Sequence, residues 1–320
     1  MTPLDILHSN MATTQIVAIL FSVGSYLGSI ILSILLETNT IPVTKRGFFC
    51  DDNSIKYPYQ EETVSGGAAF LTTLAVAFVT FLVLELFTNI NDDDKQKIKS
   101  TYGHRGQHCS KGCDHKWYIR VMKLILIWWW CIQVTSTLTS IIKTVVGWPR
   151  PNFLEVCNPN ISCSLNTTKY NMDYVCQGTD LFGDWKRLNT DKMMRGISQA
   201  RRSFPSGHAS FSASAMAFLV FYVESRIRQE QKSCSLIFLK PFIQLILVSI
   251  AVFIGMSRVK DYYHHLMDVL VGATLGIVVS FIVWRNCSKW LQNINKCRCK
   301  LGRNKIKPIT MNDRHIYKIT

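Results

Sequence analysis

Acidic residues are scarce in this sequence. Its 320 residues hold 21 Asp and Glu against 36 Lys and Arg, a formal net charge of +15. The stretches richest in polar chemistry have no cluster of acids beside them, which argues against a carboxylate-held metal ion. Internal repeats and low-complexity segments are missing too. No Lys or Arg precedes the first apolar run. That run is long and no small-residue cleavage site follows it, so a cleaved signal peptide is not expected. His104, His108, Cys109, Cys113 and His115 match no standard zinc spacing. Asp92-Asp93-Asp94 reads as a solvated loop end. Eleven cysteines in a chain of this length do not make a small-protein disulfide framework.

What the sequence does have is apolar length. Six runs approach the roughly 20 residues needed to cross a bilayer, near 14–36, 65–87, 124–142, 208–224, 236–256 and 264–284. The fourth is short and rich in Ser and Ala. The expectation is an all-α polytopic membrane protein: a bundle of six transmembrane helices over 1–286 and a basic tail over 287–320. The excess positive charge sits in the 88–120 connection, around Arg226, Arg228 and Lys232, and in the tail. Those segments share one side of a six-span chain, and the positive-inside rule makes that side cytoplasmic, with both termini there. Topology therefore accounts for the charge, and no nucleic-acid partner is expected. A basic tail also suits anionic inner-leaflet lipids. Asn160-Ile161-Ser162 and Asn166-Thr167-Thr168 are N-glycosylation sequons in the long 152–204 connection, which charge alone already places outside. Cys50, Cys157, Cys163 and Cys176 fall in outside connections, where disulfides can form, in a pairing the sequence does not give. Cys287, Cys297 and Cys299 are juxtamembrane candidates for palmitoylation. Trp128-Trp129-Trp130 reads as an interfacial aromatic anchor.

Three polar stretches stand at the outer ends of these runs. In Ser257-Arg258-Val-Lys-Asp-Tyr-Tyr-His264-His265-Leu-Met-Asp268, His264 and Asp268 lie one helical turn apart, so the carboxylate can fix one imidazole nitrogen and leave the other as a lone pair. His265, three residues from Asp268, competes with His264 for that role. Lys143 closes the third run, and Arg150 is held between Pro149 and Pro151, whose rings restrict the backbone around it. In Pro205-Ser206-Gly207-His208, a helix start offers free N–H groups and the positive end of a dipole to an anion.

The ordered set, Lys143 with six residues before Arg150-Pro151, then Pro205-Ser206-Gly207-His208, then Ser257-Arg258 with five residues before His264 and three more before Asp268, resembles the signature of the type 2 phosphatidic acid phosphatase superfamily. Gly47-Phe48-Phe49-Cys50-Asp51-Asp52, Tyr57-Pro58-Tyr59 and the run Asp261-Tyr262 to His264-His265 are similar to those of its lipid phosphate phosphatases. The resemblance spans roughly residues 40–285. It implies a site facing the lumen or the outside, no metal or other cofactor, and membrane lipid phosphates as substrates. Phosphatidate, lysophosphatidate, sphingosine-1-phosphate and ceramide-1-phosphate are the class. It also implies roles: His264 the nucleophile, forming a phosphohistidine; Asp268 its orienting partner; His208 the acid for the leaving oxygen. Lys143, Arg150, Ser206, Gly207 and Arg258 would hold the phosphate. The plasma membrane is the expected home, with endoplasmic reticulum or Golgi as alternatives, and homo-oligomerisation is left open. The competing readings are a catalytically silent scaffold or lipid-binding relative, a phosphatase of a soluble ester, and an anion transporter. None of the residues expected to be lost in a silent relative is missing, and the polar residues cluster at one face with no series crossing the bilayer.

Overall fold

The computed structural model describes residues 23–38, 40–102, 117–161, 169–178, 190–230 and 234–294. It is mostly helical. Along the chain come α1 (Val23–Glu37), α2 (Gly66–Tyr102), α3 (Trp117–Val146), the short α4 (Phe153–Cys157), α5 (Thr190–Ala200), α6 (Gly207–Glu230), α7 (Cys234–Lys260) and α8 (Leu266–Ile294). Two-residue strands, β1 (Phe48–Phe49) and β2 (Tyr170–Asn171), pair antiparallel. Helix α8 runs past residue 286, and the residues after 294 lie outside those described.

Four helices are long and apolar enough to cross a membrane: Gly66–Phe87, Trp117–Val146, Phe238–Lys260 and Leu266–Ser288. The chain is thus a multi-pass membrane protein. Of the six expected spans, the first appears as the shorter apolar helix α1, because the start of its run lies outside the described residues. The fourth corresponds to α6, which is long enough at 24 residues but carries too many polar groups to qualify by hydropathy. The reason is positional. Helix α6 is the hub, packed on α8, α7, α3 and α2, and most of its side chains from Ala209 to Val223 are buried. A helix that faces protein on all sides has no lipid to match, and small residues let its neighbours approach closely. Its partner α8 contributes Gly272 and Gly276. A Cβ on Gly272 would lie 2.6 Å from the Ser206 carbonyl oxygen, and one on Gly276 would meet that of Ser210. The two backbones touch there.

Hydroxyls bridge the hub to α3 and α8. Thr135 donates to Ser214 at 2.9 Å, Thr139 and Ser210 share a hydrogen bond of 2.9 Å, and Ser280 donates to the Ser214 carbonyl at 2.6 Å. Polar groups in an apolar bundle need such internal partners. Trp128 departs from the expected interfacial anchor: its ring is fully buried and its Nε1–H donates to the Ala215 carbonyl at 3.1 Å, tying α3 to α6. Helix periodicity turns it inward, while Trp129 and Trp130 pack on Phe70 and Tyr26. At the far end of the bundle, Glu85 is buried between Arg120 (3.0 Å), Arg226 and the Tyr222 hydroxyl (2.8 Å). That knot joins α2, α3 and α6.

Over the other end sits a small cap. Phe48, Phe153 and Tyr174 meet edge to face, Ile55, Val156 and Ala200 fill in around them, and a Cys157–Cys176 disulfide fastens the loop beside β2. Cys50 is also disulfide-bonded. Cys163 lies outside the described residues.

Candidate active site

The three polar stretches converge beneath this cap. Helix α3 stops just past Lys143 because Gly147 takes a left-handed φ of +59° and a Cβ there would strike the Thr44 carbonyl. The chain then runs as Trp148-Pro149-Arg150 against the segment that leads into α6. Ser203 donates its N–H to the Trp148 carbonyl at 2.9 Å, and Arg150 its N–H to the Ala200 carbonyl at 2.8 Å. Two irregular segments are therefore zipped together, and Arg150 is fixed beside the start of α6. The Lys143 ammonium donates to the Arg202 carbonyl at 3.3 Å, and its Nζ lies 3.4 Å from where a Cβ on Gly207 would stand.

Ser206 precedes α6 and is fully buried; its N–H donates to the Asp268 carbonyl at 2.9 Å, docking the start of α6 on the first turn of α8. His208, in the first turn of α6, has its Nε2 4.0 Å from the Cβ position of Gly66, where α2 begins. Arg258 in the last turn of α7 is almost wholly buried. Its guanidinium donates to the Val64 carbonyl at 3.1 Å and meets the Glu62 carboxylate at 3.0 Å. Both Arg258 and Arg150 lie against the Tyr263 ring, at 4.3 and 5.2 Å from its centre. The aromatic face is a neutral support that lets two like charges sit close.

The two histidines and Asp268 differ from the sequence expectation in detail. His264 is in the turn before α8, not on the helix, which begins at Leu266. Asp268 Oδ2 accepts the His265 N–H at 2.9 Å and the Ser203 hydroxyl at 2.5 Å, and lies 3.2 Å from His265 Nδ1 but 3.7 Å from His264 Nδ1. The carboxylate is thus hydrogen-bonded to His265 and at ion-pair distance from His264. What separates the two rings is their other side. His265 Nε2 is 3.3 Å from the Ser54 carbonyl, so both its nitrogens face acceptors. Burial pushes its pKa down, but Asp268 and the Ser54 carbonyl outweigh it and leave the ring more basic than usual. His264 is buried, and burial, with Lys143 and Arg150 nearby, holds its pKa well below the ordinary histidine value despite Asp268. It is a neutral imidazole, the form with a lone pair to offer.

Positive charge dominates the site. Burial, and then the Arg258 charge, bring the Arg150 guanidinium down to about 10, still cationic at neutral pH. Arg150 Nε, Arg258 Nε and His208 Nε2 are buried polar atoms without a hydrogen-bond partner among the described residues. Buried donors of this kind are costly unless an acceptor meets them, and a tetrahedral oxyanion is the acceptor that cations on several elements suit. Among the described residues, no group of three or more His, Cys, Asp or Glu is arranged to hold a metal ion.

All eight residues expected at the phosphate site, Lys143, Arg150, Ser206, Gly207, His208, Arg258, His264 and Asp268, belong to elements that meet at this end. Asn160 lies apart on the exposed surface of the cap, its side-chain oxygen accepting the Val175 N–H at 2.9 Å. Asn166 lies outside the described residues. Sequence reasoning gave no role to Glu62, Arg202, Ser203 or Tyr263. The last three stand within or beside the quoted stretches and were open to notice; Glu62 had no local signal. Arg202 is buried and donates to the Leu36 carbonyl at 2.6 Å, carrying α1 to the site.

The PAP2 superfamily matches residues 124–291. Phospholipid phosphatase 1 of Rattus norvegicus is 31% identical over 253 residues, 78% of this chain and 77% of the relative. Phospholipid phosphatase 1 of Mus musculus is 30% identical, covering 75% and 74% of the two chains, and phospholipid phosphatase 2 of Homo sapiens is 30% identical, covering 74% and 71%. No solved structure matches the chain. A family match across more than half the sequence, joined by relatives at this identity and coverage, makes the chain a member of the PAP2 superfamily.

Proposed function

We propose that this protein is an integral-membrane lipid phosphate phosphatase that hydrolyses phosphomonoesters such as phosphatidate, lysophosphatidate, sphingosine-1-phosphate and ceramide-1-phosphate. The observation that carries the reading is the buried, cation-rich cluster that brings Lys143, Arg150 and Arg258 together with His208 and His264. In the reaction the free ring nitrogen of His264 attacks phosphorus as the ester bond breaks, forming a P–N bond. His208 gives its proton to the departing alkoxide, which leaves as the lipid alcohol. Lys143, Arg150, Arg258, Ser206 and the Gly207 N–H hold the non-bridging oxygens and balance their charge. Asp268 compensates the positive charge that His264 acquires. His208, now neutral, takes a proton from water, whose oxygen displaces His264 and releases inorganic phosphate. These cations and the helix start supply the charge for which phosphoryl transfer otherwise uses magnesium, so the reaction is expected to need no metal.

Six spans, both termini in the cytoplasm and a site facing the lumen or outside complete the proposal, on the charge bias and the two sequons. The plasma membrane is its expected home. The test is phosphate release by the purified protein from a panel of lipid phosphates in excess chelator. The released lipid alcohol and an acid-labile phosphoenzyme on His264 are the expected products. No release from any lipid phosphate would overturn the assignment, and release only after magnesium is restored would overturn its metal independence.

A further inference from the structure

Below the phosphate cluster the bundle is not closed. Helices α2 and α7 both pack on α6 but scarcely touch each other. Between them lies a cleft of about 540 Å³. Val64 roofs it, Ala68 and Thr72 line it from α2, and Ser249, Ile250 and Ile254 from α7. Its lining is almost entirely apolar, and the side chains around its rim, Phe253 and Leu245 among them, are exposed on the outer face of the bundle.

The cleft is joined to the site at its roof. Arg258 stands one turn above Ile254 on the same face of α7, and it donates to the carbonyl of Val64, the roof itself. The adjoining Thr63 gives both its N–H and its hydroxyl to Asp261, at 2.7 and 2.6 Å. One short segment, Glu62–Val64, thus borders the cleft through Val64 and binds the phosphate-end arginine. From Leu245 to Ile254 the cleft follows α7 for about 13 Å at 1.5 Å per residue. A molecule with an anionic head at Arg258 and an apolar body would lie along it.

Resting on the phosphatase reading, we propose that the α2–α7 cleft seats the hydrocarbon chain of the lipid phosphate substrate and sets its preference for chain length. Phosphate at Arg258 and chain along Ile254 and Ile250 sets charge against charge and apolar chain against apolar surface. Bilayer hydrocarbon is as apolar as the cleft, so the chain gains little free energy on entering. The cleft aligns the ester with His264 instead. Its effect therefore falls on turnover of long-chain substrates and leaves small esters alone, because remote contacts are expressed in the reaction step.

Two measurements test this. Full-length protein in phosphatidylcholine nanodiscs is irradiated with a long-chain lysophosphatidate carrying a diazirine midway along its chain, and the adducts are mapped. Labelling should concentrate on 68–72 and 245–254, and excess unlabelled lysophosphatidate or Arg258→Ala should suppress it. A diazirine monoacylglycerol, without phosphate, should show no such focus. Phosphate-probe adducts spread over lipid-facing positions such as Phe281 and Ile282, or unmoved by competitor, would mean that ordinary bilayer lipid fills the cleft and would overturn the proposal. Separately, Ser249→Phe, which fills the cleft from an exposed helix position, should lower kcat/KM for long-chain lysophosphatidate by about tenfold or more and leave p-nitrophenyl phosphate within about twofold. Equal changes on the two substrates would also overturn it. Failure of the unmodified protein to hydrolyse either ester would instead refute the phosphatase reading, and the labelling pattern would still judge the cleft.

Discussion

Substituting Gly272 by Ala tests whether the contact between α6 and α8 sets the position of the phosphate loop. A Cβ there would sit 2.6 Å from the Ser206 carbonyl oxygen and 3.3 Å from its nitrogen, whereas ordinary contact begins at 3.4 Å. The obstacle is backbone, so no rotamer change relieves it. Ser206 must retreat by about 0.8 Å, taking with it the N–H that donates to the Asp268 carbonyl at 2.9 Å. Overpacking of this kind costs about 1–3 kcal/mol of stability, and a misplacement of about 1 Å at a reacting centre can cost about 100-fold in rate. The expected result is a folded protein with kcat/KM per folded molecule down by about 30- to 100-fold. Gly276→Ala is the control. It meets the Ser210 carbonyl one turn deeper, away from the proposed phosphate ligands, and should lower thermal stability at least as much with a smaller loss of rate. Monodispersity by size exclusion, melting temperature in detergent and phosphate release from a soluble short-chain ester would be measured together. Retention of more than about half the wild-type rate by Gly272→Ala would show that the loop is not positioned through this contact.

The two reacting histidines should separate by leaving group. His208→Ala should lose about 10²–10⁴-fold on a lipid phosphate, whose alkoxide needs a proton, and much less on an aryl phosphate; equal losses would remove it from the acid role. His264→Ala should be inactive on both, whereas His265→Gln should retain turnover, and the reverse pattern would make His265 the nucleophile. Because His264 is held neutral well below its ordinary value, protonation should disable it only at low pH. The acid limb of kcat/KM should therefore fall below about pH 6.5, and a limb above that value would contradict the burial argument. Glu62→Gln removes the carboxylate that pairs with Arg258 at 3.0 Å, so competitive inhibition by inorganic phosphate should strengthen by about 3- to 10-fold; weaker inhibition would show that Glu62 supports the phosphate site instead of competing for it.

The polar stretches were legible because their chemistry is local: His264 and Asp268 are close in sequence, Pro149 and Pro151 flank Arg150, and Ser206 precedes a helix. The choice between His264 and His265 came from the resemblance alone, and its physical basis was not legible. It turns on the Ser54 carbonyl and on burial, both products of tertiary structure. Helix α6 looked weak as a span for a reason that only packing explains, since a hub helix has little lipid to match. Trp128 could be assigned to an interface or a core by the same residue type, and its facing decided it. Glu62 stands 196 residues before its partner Arg258, a separation no motif spacing encodes.

The knot around Glu85 bears on how the chain is made. During synthesis α2 enters the bilayer carrying a carboxylate near the far end of its apolar span, Gly66–Phe87, before either arginine that will neutralise it exists. Arg120 arrives with α3, directly after the 103–116 connection, and can pair with Glu85 at once. Arg226 and Tyr222 come only with α6. An ionisable group in hydrocarbon seeks a partner among its neighbours, so the expected order is that α2 and α3 associate first as a hairpin, with the second face of the carboxylate still unfilled. On that order the hub helix would join a waiting charge, at the opposite end of the molecule from the proposed phosphate ligands.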